Sequence, residues 1–239
     1  MTSRAGTRFH TRFSVHDRTL VVDLVKPRRV LSSAVKGGGL VTARYILTHQ
    51  VAANPTAAPA PKQRWSDPAR HLSRLARRLG LQDQTVGLMT AVDLHQLVVI
   101  RTARAELWIE AFVTVGVTNA VRAGDRPQPT RHRRIDLVTG TINMIFTTNG
   151  RLTPSAMVTA IQVATESKTA VLLREGVPTL SGDPGATGTG TDATVVACGD
   201  GPALQYAGTH TKFGSMLGSI AQRAVTMGLL RSRRKNRLD

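Results

Sequence analysis

Three features of this 239-residue sequence predict an α+β fold: one domain with a mixed, largely antiparallel sheet and helices packed mainly on one face. Short β-branched runs joined by brief polar turns dominate the first 150 or so positions, which is the pattern of consecutive strands. Two long stretches of helical periodicity fall in the second half. A composition of 41% hydrophobic and 20% charged residues is globular usage, enough for one sizeable core. The early strands are linked too tightly for helical crossovers, hence the antiparallel expectation. Residues 1-230 read as the domain and residues 231-239 as a basic C-terminal tail.

In chain order, Arg8 to Val15, Thr19 to Val25 and Val30 to Ala34 read as strands, the last running into Gly37-Gly38-Gly39. Asn54 to Lys62 contains three prolines and three alanines without a period, and reads as a loop. Asp67 and Pro68 then open a helix whose apolar face is Leu72, Leu75 and Leu79 and which Gly80 stops. Val86 to Val92, Leu97 to Thr102 and Glu106 to Val115 follow as three consecutive strands of one sheet, in an order the sequence does not set. Asp125 to Asp136 is a basic loop, and Thr139 to Thr148 is a further strand carrying Asn143. Thr153-Pro154 opens a helix to about Glu175 that is apolar on most of its circumference. The final helix begins near Thr209 to Lys212, with Phe213, Leu217, Ile220, Ala221 and Ala224 as its core stripe.

A formal charge of +17 invites a nucleic-acid reading. The positive residues are scattered, however, and their two concentrations, Arg131 to Arg134 and Arg231 to Lys235, fall in expected loop and tail. Aromatic residues make up only 4% of the chain, and no basic patch is interleaved with them for base stacking. The single cysteine, Cys198, lies in an apolar strand and reads as a buried thiol in a reducing compartment. No segment approaches the roughly 18 apolar residues of a membrane span, and Met1 to His16 lacks the apolar centre of a signal peptide. The expected location is the cytoplasm, with neither membrane nor nucleic acid as a partner and with a homo-oligomer allowed.

Two features carry chemistry. The run Thr187-Gly188-Thr189-Gly190-Thr191-Asp192 precedes a β-branched stretch, and its glycines bring backbone amides close to a ligand while the threonines and Asp192 add polar groups. Lys168 breaks an otherwise apolar helical sector formed with Ile161, Ala164, Val171 and Leu172. A buried ammonium must be paired or lose its charge, so pairing with Asp192 is expected. Glu166 lies in the polar sector of the same helix, and His210 and Lys212 stand at the start of the last one. Ser32, Ser33 and the Gly37-Gly38-Gly39 turn are expected across a pocket from the Thr187 to Asp192 turn. No Gly-x-Ser-x-Gly elbow, His-Glu-x-x-His run or paired-cysteine pattern is present, so no metal site is expected.

Read in order, Ser32-Ser33-Ala34 with Gly37-Gly38-Gly39, the Val115 to Ala120 segment leading to Arg122-Ala123-Gly124-Asp125, Gly140-Thr141-Ile142-Asn143, Thr165-Glu166-Ser167-Lys168, Ala186 to Asp192, and Tyr206 to Lys212 resemble the adenosylcobinamide amidohydrolase family. The resemblance runs from about Thr19 to Leu230; Ser167 and Ser215 depart from the family pattern, which more often has Ala and an acidic residue there. It implies hydrolysis of the amide joining the aminopropanol side chain to the corrin ring, giving adenosylcobyric acid for cobamide salvage. It also implies a corrinoid as the small-molecule partner, with no cofactor beyond that cobalt-containing substrate. Its motif positions add Asn119, Arg122, Asp125, Asn143, Thr165, Thr209 and Lys212 to the Ser32 to Gly39 and Thr187 to Thr191 segments as substrate-binding candidates. For amide hydrolysis the residues offer Glu166, Asp192 or His210 as base, Lys168 and the Gly188 to Gly190 amides as oxyanion donors, and Lys168 or His210 as proton donor. Activated water ranks ahead of a nucleophile from Thr187, Thr189 or Thr191. A corrinoid binder without the chemistry, and a basic nucleic-acid-binding protein, are the readings from other classes.

Overall fold

The computed structural model describes residues 11–51, 67–81, 85–126 and 140–235. Arg12–His16 (β1) and Thr19–Ser32 (β2) form a hairpin about Asp17 and Arg18, whose φ values of 45 and 60 give the double left-handed geometry that suits a two-residue hairpin turn. Gly39–Gln50 (β3) pairs antiparallel with β2. Pro68–Arg78 (α1) follows, capped as expected: the Asp67 side chain accepts from the Arg70 amide at 2.9 Å and Pro68 occupies the first turn. Thr85–Thr90 (β4), Val98–Arg104 (β5), Leu107–Val115 (β6) and the short Ala120–Val121 (β7) come next. Ile142–Thr148 (β8), Arg151–Leu152 (β9), Pro154–Arg174 (α2), Gly188–Thr189 (β10), Ala193–Ala197 (β11), Ala203–Leu204 (β12) and Lys212–Lys235 (α3) complete the order.

The fold is α+β, and its main sheet runs β4-β3-β2-β11-β8-β6-β5 with β1 paired to β2. Two expectations about this sheet need correction. Thr19–Ser32 is one strand rather than two: a bulge between Asp23 and Arg28 absorbs Pro27, which has no amide to donate, and Val25 takes φ 70 there. Helical crossovers do occur early, because β3 and β4 are parallel and joined through α1, just as β8 and β11 are parallel and joined through α2. In strand order β4 and β5 stand at opposite ends.

The sheet curls so that its two halves face each other, the Asn143 amide of β8 reaching the Met89 carbonyl of β4 and Phe13 of β1 reaching Phe112 of β6. Alternate side chains of β6 and β8 point to opposite sides. Ala111, Val113 and Met144 join a core with α2 and α3, while Phe112 and Ile145 join another with Leu20, Val22, Ile46 and Val86 of β2, β3 and β4. Phe13 closes over the latter, edge-on to Phe112 at 5.2 Å. Helices α2 and α3 lie together on one outer face, and α1 covers the other, with Leu72 pressed on Gly87 of β4.

Helices α2 and α3 run parallel, with Ser167 beside Gly218 and Arg174 donating to the Thr226 hydroxyl at 3.1 Å. Helix α3 continues through Lys235, so Arg231 and Arg233 are helical rather than part of a tail: Arg231 donates to the Gln96 carbonyl at 3.3 Å and Arg233 to that of Glu175 at 3.0 Å. The Arg131 to Arg134 concentration lies outside the described residues. No helix among the described residues is long and apolar enough to cross a membrane. Cys198 is buried as expected, and burial pushes its thiol up.

Candidate active site

The end of the sheet where β8 and β11 begin gathers several of the candidate site residues. Lys168, in the last third of α2, projects onto the turn between β10 and β11 and pairs with Asp192; their side chains are 8% and 15% exposed. Asp192 is held from every side. Its Oδ1 accepts from the Ile142 amide at 2.9 Å and from the Thr189 hydroxyl, and its Oδ2 accepts from the Thr189 amide at 3.0 Å and from Lys168. A carboxylate offers about four acceptor directions, so this one is filled, which suits it to hold charge and geometry rather than to take a proton. Gly188 is required here by space: a Cβ on it would sit 2.6 Å from Asp192 Oδ2 and 2.7 Å from Lys168 Nζ. The Thr141 and Thr191 hydroxyls bond one another beside this clamp, Thr141 buried and Thr191 exposed.

The turn is also the edge of a cleft of about 330 Å³ lined by Asn119, Arg122, Asp125, Arg126, Leu180, Ser181 and Gly190, among others. Strands β7 and β10 pair antiparallel at its base, and the Ala123 amide donates to the Thr187 hydroxyl at 2.8 Å. Thus Lys168, Thr187, Gly188, Thr189, Gly190, Thr191 and Asp192 come together, with Asn119, Arg122 and Asp125 along the adjoining cleft.

Other expected site residues are placed differently. Ser33 meets β11 just past the turn, its amide bonded to the Thr194 carbonyl and its hydroxyl accepting from the Thr194 amide, both at 3.1 Å, with Ser32 paired to Val195. Gly37, Gly38 and Gly39 are exposed, on a turn that leads instead toward β4 through the bridge between Lys36 and Gly87. Asn143 is buried on the inner face of the sheet, where its amide donates to the Met89 carbonyl at 2.8 Å. Thr165 and Glu166 are exposed on α2, outside the clamp. Grouping His210, Thr209 and Lys212 with this site is corrected outright. Lys212 lies 3.6 Å from Glu106, next to the start of β6, whereas the Asp192 clamp adjoins that strand's end, about 25 Å away at roughly 3.3 Å per residue. A helix start is recognisable in sequence, but the end of the sheet it docks on is not.

Thr141, Leu180, Arg126 and Ser181 were not singled out from sequence. Thr141 sits inside a quoted motif, whereas Leu180, between Pro178 and Gly182, reads as an ordinary surface turn. Among the described residues no group of three or more His, Cys, Asp or Glu side chains is placed to hold a metal.

A fixed ammonium with protons to give, beside backbone amides at the lip of a cleft, is the equipment of a hydrolase that stabilises a developing oxyanion. Comparison with known sequences makes the class specific. The chain belongs to the adenosylcobinamide amidohydrolase family, whose sequence pattern it matches over residues 3–237, and is therefore a hydrolase of a corrinoid amide. It is 30% identical over 229 residues to an adenosylcobinamide amidohydrolase of Methanosarcina mazei, covering 91% of this chain and 96% of that protein. An uncharacterized protein of Methanocaldococcus jannaschii is 29% identical over 235 residues, covering 90% and 86% respectively. Among solved structures, a Burkholderia sp. beta-aminopeptidase aligns over 90% of this chain and 78% of its own at 12% identity, with a TM-score of 0.45, too slight a likeness to bear on mechanism.

Proposed function

We propose that the protein hydrolyses the amide joining the aminopropanol arm to the corrin ring of adenosylcobinamide, or of its phosphate, releasing adenosylcobyric acid for cobamide salvage in the cytoplasm. The observation that carries this reading is the Lys168–Asp192 pair beneath the turn whose Gly190 edges the cleft, within a chain that matches the family almost end to end.

In this account Asp192 is a positioning residue, because its acceptor directions are occupied, and Lys168 is the catalytic one. The Lys168 ammonium and the turn amides at Gly190 and Thr191 receive the oxyanion that forms as water attacks the carbonyl carbon. Lys168 then gives a proton to the leaving nitrogen as the C–N bond breaks, and the neutral amine recovers one from the hydroxyl that water brought. The products are a carboxylic acid and a free amine, with protons balanced and no cofactor called upon beyond the corrinoid itself. Glu166 and His210 are given no part: Glu166 is exposed on α2 and makes no bond to the clamp, and His210 stands at the start of α3, at the other end of the sheet.

Incubating the purified protein with adenosylcobinamide and weighing the corrinoid product by mass spectrometry tests the reaction. Adenosylcobyric acid and free aminopropanol are the expected products. Bound corrinoid with its aminopropanol amide intact would replace this reading with that of a non-catalytic binder.

A further inference from the structure

The segment between α2 and β10 is built as a rigid wall, yet it holds a large apolar side chain out of the core. Its backbone is tied to β7 at both ends of the cleft: the Leu180 amide donates to the Ala120 carbonyl at 2.7 Å and the Thr187 amide to that of Val121 at 2.9 Å. Arg122 braces it from below, its Nε donating to the Gly185 carbonyl at 3.2 Å and its Nη2 to that of Pro184. Within the segment, the Thr179 amide donates to the Asp183 carbonyl at 2.8 Å, and the Ser181 hydroxyl, 2.8 Å from that of Thr179, donates to the Asp183 carboxylate at 2.8 Å. Gly182, at φ 91, supplies the left-handed residue this tight turn requires.

So much local bonding fixes Leu180 in place, and its side chain is nonetheless 57% exposed at the lip of the cleft that Gly190 closes. A single exposed leucine is unremarkable on a mobile loop. Held rigidly over a cavity shared with the catalytic turn, it offers preordered apolar area that a ligand gains by covering. The rest of the lining mixes apolar Ala120 and Val121 with polar groups of Asn119, Arg122, Asp125 and Arg126. An apolar shelf on a mainly apolar cleft that also carries amide, guanidinium and carboxylate groups fits one edge of a flat macrocycle with an apolar surface and amide arms at its rim. The cleft is too small for a whole corrin, so the ring would lie partly outside it, across Leu180.

We infer that Leu180 is a specificity-determining residue, the shelf on which the corrin ring of the substrate rests so that its aminopropanol arm reaches Lys168. This rests on the corrinoid reading of the site, and it makes a separate claim: Leu180 acts on binding and leaves the chemical step alone.

The test uses the full chain, as wild type, Leu180→Ser and Leu180→Met, with two probes. Adenosylcobinamide reports KM and kcat, and cobyric acid, which has the ring but not the scissile arm, reports Kd without turnover. Losing one leucine's contact should raise both KM and Kd about tenfold while kcat stays within about twofold, and Leu180→Met should restore both. The exposed position predicts an unchanged melting temperature in either variant. Unchanged Kd and KM in Leu180→Ser, or a fall in kcat at constant KM, would overturn the inference even if wild type hydrolyses adenosylcobinamide. Conversely, Leu180-dependent binding of cobyric acid by a wild type that leaves the amide intact would support the shelf and overturn the proposed reaction.

Discussion

Among the described residues two ion pairs have a buried partner, Glu110 in one and Lys168 in the other, and the chain around them treats them differently. Arg101–Glu110 lies between the folded halves of the sheet: Glu110, fully buried in the middle of β6, accepts from Arg101 Nε at 2.6 Å and from the Thr147 hydroxyl at 3.3 Å, with β1 close by, Phe13 lying 5.9 Å from the Arg101 guanidinium. Lys168–Asp192 lies at the end of the sheet, where glycine leaves room for it and a cleft opens beside it. In the first pair Glu110 alone gives up solvation, while Arg101 stays 42% exposed. The second gives it up where a ligand can arrive. Burial of charge alone therefore does not mark a site; burial next to backbone amides and a cavity does.

The largest expected effect comes from breaking the second pair on its acidic side. Asp192→Ala strands the ammonium and frees the turn, and should lower kcat/KM about a thousandfold and cost about 3 kcal/mol of stability. Steady-state kinetics and urea unfolding would measure both, and turnover within tenfold of wild type would remove Asp192 from the machinery. Gly188→Ala acts on the same pair through space, since its Cβ would fall at 2.6 Å from the carboxylate. A loss of about a hundredfold in kcat with modest loss of stability is expected.

The Arg101–Glu110 pair should answer the opposite way. Glu110→Gln ought to leave turnover unchanged per folded molecule while shifting stability by about 1–2 kcal/mol. It also has a pH signature. Burial raises the Glu110 carboxyl above its ordinary value of 4.5, against the opposing pull of Arg101 and Thr147. The folded state thus holds this proton more tightly than the unfolded state. Glu110 favours folding most below pH 4.5, and that contribution is lost as pH rises through its raised value. The stability of wild type relative to Glu110→Gln should therefore fall with rising pH across that window. Urea midpoints at a series of pH values would show it, and a flat or rising difference would contradict the assignment.

The smallest effect is expected at the far end of the sheet. His210→Ala and Lys212→Ala should each leave kcat/KM within about twofold of wild type, because neither reaches the clamp and the contact of Lys212 with Glu106 is an exposed one. A hundredfold loss in either would bring that end of the sheet back into the reaction.

What the sequence revealed divides along the same line between local and distant. The Asp67-Pro68 helix start, the extents of α2 and β6, and the anomaly of Lys168 in an apolar helical sector depend on neighbours within a turn or two, and they are where the pattern places them. The pairing of Lys168 with Asp192 was legible because each made sense only with a partner. Strand β3 was missed because residues 39 to 50 mix polar and apolar side chains, being only partly buried. The continuity of β2 through Lys26-Pro27 depends on a bulge that resembles a turn in sequence. The placing of His210, and the wall that carries Leu180, follow from which distant strands meet, and no local pattern encodes that.

The claim that the Lys168–Asp192 end of the sheet is where the amide is broken is met most directly by one measurement: single-turnover hydrolysis of adenosylcobinamide by Lys168→Met, with Kd for cobyric acid and the melting temperature recorded on the same preparation. Methionine keeps the volume of the lysine stem and removes its charge. The account predicts a folded protein that binds cobyric acid within about threefold of wild type and hydrolyses at least a thousandfold more slowly. Near-normal hydrolysis by that folded variant would contradict it, leaving Lys168 a structural residue and placing the reaction elsewhere.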